Sequence, residues 1–174
     1  MKLKNLILAT TTVMAATFGS LSQAQSFAQC VSTPIVQFDG TIVDAAVATP
    51  ELSTLVDAVL AAGLGDALAT LENITVFAPT NDAFAALPAD ALGAIVGDVD
   101  LLTAVLTFHV TEGAQDPRRF IPATRRPTLQ GQSVFFFRQD GMPTVNNAPV
   151  SCTGVQASNG LVWIIDAVML PAIY

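Results

Sequence analysis

Proton transfer at neutral pH would fall first on His109, the one histidine in 174 residues. Imidazole is the side chain whose ordinary pKa lets it take and return a proton there. A catalytic histidine needs a nucleophile or a second polar partner, and the chain has no Gly-x-Ser-x-Gly elbow. Cys30 and Cys152, the only cysteines, are expected to be bridged to each other rather than used as nucleophiles. Two distant thiols and one histidine lack any zinc-ligand spacing, so neither a metal nor a cofactor is expected. Asn81 and Asp82 have the side chains of a metal or substrate site, but their place before a run of helix formers makes them helix caps. Asp98-Val99-Asp100 looks like a piece of a calcium loop, yet it lacks the glycine and the distal glutamate, so it too reads as a cap. The remaining group is cationic. Arg118, Arg119, Arg125 and Arg126 are four of the chain's five arginines. A guanidinium grips carboxylate, sulfate or phosphate with two parallel bonds. These four are either a solvated loop balancing an acidic surface or the contact site for an anionic glycan, a lipid head group or an acidic protein.

Charge and targeting bound the partners. Residues 1–24 read as a signal peptide: Lys2 and Lys4, an apolar middle from Leu6 to Phe18, and Ser22-Gln23-Ala24 before Gln25, with Ser26-Phe27-Ala28 as a weaker cleavage site. Removing both lysines leaves five arginines against fourteen acids, a net charge of −9. Such a surface repels phosphate backbones and excludes nucleic acid. No later apolar run is long enough to span a bilayer, and no hydrophobic tail precedes Tyr174, so the expected product is secreted or periplasmic, with no transmembrane segment.

The elements that must position these residues fall into two halves. Residues 25–38 read as an N-terminal arm tethered by Cys30, and 39–174 as one domain. Thr41 caps a helix from Ile42 to Ala48, with Asp44 placed for the return bond of a capping box. Thr49-Pro50-Glu51 starts another, whose Leu52, Leu55, Val56, Val59 and Leu60 share one face, and Gly63 ends it. A short helix over Leu64, Leu68 and Leu71 precedes a buried strand, Ile74 to Phe77, which Pro79 closes before a capped helix. Pro88 to Val96 is a helix with Leu92, Ile95 and Val96 inward, and Asp98 or Asp100 caps the next, with Leu101, Leu102, Val105 and Leu106 on its face. Thr111 to Pro127 reads as a long loop.

From Thr128 the period is two. Ser133 to Arg138 is a strand, Asp140-Gly141 a hairpin turn, and Val145 to Val150 the return, bent at Pro149. Gly154 to Ala157 and Leu161 to Val168 join across Asn159-Gly160. In Phe135-Phe136-Phe137 the middle ring faces away from its neighbours, leaving phenylalanine to pack under a helix or to form a binding patch. Asn73-Ile74-Thr75 is a glycosylation sequon. Helices first and strands later give an α+β fold.

Thr75-Val76-Phe77-Ala78-Pro79-Thr80-Asn81-Asp82-Ala83-Phe84 resembles the first signature of the fasciclin domain. Asn159-Gly160 through Trp163 and Asp166 to Pro171 resembles the second, and Phe108-His109 stands where the family carries a Tyr-His pair. The resemblance implies a fasciclin-like α+β fold, a helical layer packed on a twisted β-wedge, with His109 buried and hydrogen-bonded beneath the first signature. It also implies a cell-adhesion or extracellular binding module, and no residue pattern points to an enzyme. With the arginine group, the expected partner is an extracellular or envelope protein or an anionic glycan, with peripheral membrane contact. Phe108 lacks the tyrosine hydroxyl, so the adhesive role of that pair carries over weakly; Trp163, where the family commonly has histidine, suggests tighter packing. Two other readings stay open. A lipid or small-ligand carrier would need an apolar cavity of several hundred Å³, and a hydrolase would need a polar cleft around His109.

Overall fold

The computed structural model describes residues 27–119 and 124–172. The expected signal peptide, its first cleavage site and Pro122 lie outside the described residues. From Phe27 the chain forms α1 (Phe27–Ser32), β1 (Val36–Gln37), α2 (Ile42–Val47), a 3-10 turn (Pro50–Leu52), α3 (Ser53–Ala61) and α4 (Gly65–Thr70). It continues through β2 (Ile74–Pro79), α5 (Asn81–Ala85), α6 (Ala89–Gly97) and α7 (Val99–Phe108). The remainder is β3 (Val110–Glu112), β4 (Thr124–Pro127), β5 (Ser133–Gln139), β6 (Met142–Val145), β7 (Ala148–Ala157) and β8 (Gly160–Ile165). The fold is α+β, as expected.

The strands lie in the order β3-β2-β8-β7-β6-β5-β4, with β1 added in parallel to β7. An antiparallel bridge between Thr111 and Thr128 joins the ends of the two edge regions, so the sheet curls into a wedge. At its centre β2 and β8 run parallel, and every β2 residue is buried, as parallel pairs covered on both faces require. Alternation then splits the core in two. Val76 and its partner Val162 face the helices, among Leu55, Val59, Leu102 and Leu106. Phe77 and its partner Trp163 face the inside of the curl, among Phe108, Val134, Phe136 and Met169.

Local signals hold where one residue satisfies one backbone group. The Thr41–Asp44 capping box forms in full, Asp98 caps α7, and Asp140 and Gly141 take the positive φ values of a tight hairpin turn. Tertiary packing overrides other expectations. The N-terminal arm folds into α1 and β1 rather than remaining irregular. Val145 to Val150 is not one strand: Val145 ends β6, Asn146 turns at φ +53°, and Ala148 begins β7. Asn tolerates that left-handed conformation, so no glycine marks the turn. The last hairpin turns on Ser158-Asn159, because Ala157 pairs with Gly160. The expected loop from Thr111 to Pro127 contains the end of β3 and the whole of β4. Leu60 and Val96, expected inward, are exposed.

Candidate functional site

At the end of β2 the Thr80 hydroxyl accepts the Ala83 N–H at 3.2 Å and so caps α5. Asn81 does not cap its own helix. Its Oδ1 accepts the Thr54 N–H at 2.9 Å and its Nδ2 donates to the Pro50 carbonyl at 3.1 Å, so it covers the start of α3 across the fold. No sequence-local signal announces this, since the partner lies 27 residues away. Asp82 and Asp166 are exposed and, with Glu51, border an open polar cleft of about 400 Å³. Among the described residues no group of three histidine, cysteine or acidic side chains is placed to hold a metal.

His109 is buried, and both ring nitrogens are engaged. Nδ1 lies 2.8 Å from the Val105 carbonyl, which can only accept, and the Met169 N–H donates to Nε2 at 2.9 Å. Those partners select the neutral tautomer with the proton on Nδ1. Loss of solvation pushes the pKa down to about 4, against a smaller upward pull from the Val105 carbonyl. The ring borders an apolar cavity of about 80 Å³ among Ile42, Leu55, Val59, Val76 and Leu106. That is well below the several hundred Å³ a carrier needs, and its walls are not the polar cleft of a hydrolase. Phe108 is buried inside the curl.

The second signature is held from within. Asn159 Oδ1 accepts the Ile42 N–H at 2.8 Å, and its Nδ2 donates to the carbonyls of Leu68 and Leu71, at 2.8 and 2.9 Å. One amide thereby ties α2 and the end of α4 to the last hairpin. A Cβ on Gly160 would overlap the Ile74 carbonyl, which explains glycine at that position. Trp163 is wholly buried; its Nε1 donates to the Gln115 carbonyl at 2.8 Å, and a Cβ on Gly154 would stand 2.7 Å from its ring. Pro171 is buried beyond it. In the first signature the Thr75 hydroxyl donates to the Gly113 carbonyl at 2.7 Å and accepts the Gln115 N–H at 2.9 Å. Thr75 of the sequon is therefore interior, although Asn73 is exposed.

The structure divides the four arginines and corrects the reading of one. Arg118 is buried, not a surface contact. Its Nε and Nη2 each meet an Asp116 carboxylate oxygen at 2.9 Å, and its guanidinium lies 4.7 Å from the centre of a Trp163 ring. Its Nη1 reaches the carbonyls of Cys30, Thr33 and Cys152 at 3.2, 2.7 and 3.0 Å. Cys30 and Cys152 are bridged, with Cα atoms 4.8 Å apart. Arg118 thus clamps the disulfide, α1 and β7 together, its buried charge balanced by the half-buried Asp116 carboxylate and the Trp163 ring. The other three lie further out. The Arg119 side chain is 70% exposed, Arg125 is exposed with Nε on the Ser133 hydroxyl at 2.8 Å, and Arg126 is half-buried with Nε on Gln115 Oε1 at 2.9 Å.

This geometry, two signatures meeting as a parallel strand pair above a buried histidine, is that of a fasciclin domain. A fasciclin-domain profile matches residues 50–171, and the chain belongs to that family. It is 42% identical over 133 residues to Protein sll1483 of Synechocystis, covering 75% of this chain and 73% of that protein. It is 39% identical over 127 residues to the immunogenic protein MPB70 of Mycobacterium bovis, covering 70% of this chain and 64% of that one. The cell surface glycolipoprotein MPB83 of the same species is 46% identical over 99 residues, which is 56% of this chain and 43% of MPB83. The fold matches a solved fasciclin-domain pair from the insect cell adhesion molecule fasciclin I with a TM-score of 0.60 at 14% identity, covering 76% of this chain and 51% of that one.

Proposed function

We propose that this chain is an exported binding module, not an enzyme, that attaches to an envelope component through the arginines around β4. The observation that carries the reading is a division of polar groups. His109 and Asn159 are bonded in the interior and Thr80 and Asn81 at helix starts. By contrast, Arg119, paired with Asp116 at 3.2 Å, and Arg125, bonded through Nε to Ser133, still face solvent on an otherwise acidic protein. A buried histidine that stays neutral at pH 7 and has both ring nitrogens bonded to backbone has no free nitrogen with which to take or give a proton. The disulfide supports an oxidising, extracytoplasmic location, as does the cell surface named for MPB83.

The test is adsorption of the purified protein to envelope fragments at 0.1 M and 1 M salt, where the screening length falls from about 10 to about 3 Å. Arg119→Gln, Arg125→Gln and Arg126→Gln together should abolish the salt-sensitive part of binding. Undiminished adsorption by that variant would refute the reading.

A further inference from the structure

The outer face of β5 carries an apolar pair that the fold does not use. Phe136 points into the wedge and is 1% exposed, whereas Phe135 and Phe137 lie on the opposite face at 38% and 41% exposure. Their rings are 6.2 Å apart and within 26° of parallel. Two phenylalanines left in water beside an edge strand carry an aggregation hazard, so their presence calls for a use. Their neighbours are cationic. Arg125 of β4 is the direct antiparallel partner of Phe135, so both side chains leave the same face. The Arg125 Nε bond to the Ser133 hydroxyl, on that face too, fixes the guanidinium beside the rings and leaves its Nη groups for a ligand.

We propose that this face of β4 and β5 binds an anionic polysaccharide: sugar rings lie against Phe135 and Phe137, and their acid groups meet Arg125. This rests on the binding-module reading above and names the ligand class. Pyranose rings present flat C–H faces that pack on aromatic rings, and uronate or sulfate groups suit the guanidinium fork. Charge complementarity points the same way, since exposed arginine gathers here on a chain that is acidic elsewhere. A bilayer fits less well. The rings lie in the strand surface, less than half exposed, and the nearest protruding tip, the β5–β6 turn, carries Asp140.

The experiment is retention of the purified full chain on immobilised polygalacturonate, with neutral dextran and phosphatidylglycerol vesicles alongside. Retention is expected on polygalacturonate, less on dextran and none on vesicles. Phe135→Thr with Phe137→Thr keeps strand-forming residues in β5 and should weaken binding about tenfold without moving the melting temperature. Arg125→Gln should weaken it independently and make the remainder less salt-sensitive. If the double threonine variant binds polygalacturonate as the parent does, the aromatic platform is overturned while the arginine reading stands. Binding to vesicles in preference to polygalacturonate, or to neither, also overturns it; the envelope assay then decides the module reading separately.

Discussion

His109 couples this fold to pH. Its folded pKa of about 4 lies below the ordinary 6.5, so between those values the unfolded chain binds the extra proton. Stability is therefore complete above about pH 6.5 and declines as pH falls toward 4, by roughly 3 kcal/mol in all. Denaturant midpoints measured from pH 7 to pH 4 check this, and His109→Gln should flatten the slope in that window. Arg118 acts as a structural cation. Replacing it by alanine takes the guanidinium from three carbonyls and leaves Asp116 only Arg119 Nε and a backbone N–H, and should cost about 3–5 kcal/mol in chemical denaturation. Lysine cannot reproduce the fork, so Arg118→Lys should recover little of the loss. Arg119→Gln, on an exposed side chain, should stay within about 0.5 kcal/mol of the parent.

Helix ends and close strand contacts set the element scale. Asn81→Ala removes the cover on the start of α3 without touching the cap of α5, and should cost roughly 0.5–2 kcal/mol. Gly154→Ala presses a methyl group into the Trp163 ring and should cost about 1–3 kcal/mol, read as a lower melting temperature. These two positions mark the limit of what the sequence reveals. Thr41, Asp44 and Asp98 were readable because each bonds within three residues of itself, and Asp140-Gly141 because the turn needs positive φ at both positions. The Asn81 cap and the Arg118 clamp join residues from 27 to 88 positions apart, and no local pattern encodes such a distance. Four clustered arginines between prolines read as a solvated loop for the same reason: the partners that bury Arg118 lie on α1 and β7. Within Phe135-Phe136-Phe137, alternation separated the middle ring from its neighbours, but only the curl of the sheet determines that Phe136 is inside.

Across the whole molecule, the Cys30–Cys152 bridge joins the first helix to β7 over 122 residues. Closing a loop of that length removes about 4–5 kcal/mol of unfolded-state entropy in the chain-entropy view. Cys30→Ser with Cys152→Ser should lower stability by about 2–5 kcal/mol, and non-reducing peptide mapping of the parent should recover the bridged peptides. The architecture engages His109 and Asn159 in the interior and leaves exposed cations and aromatics at the β4–β5 end. Hydrogen exchange of the protein, alone and bound to envelope fragments, tests that separation most directly. Binding should slow exchange at Thr124–Pro127 and Ser133–Gln139 and leave Thr80–Asp82 and the surroundings of His109 unchanged. Protection gained instead around the His109 cavity or the Glu51, Asp82 and Asp166 cleft, with β4 and β5 unaltered, would contradict the account.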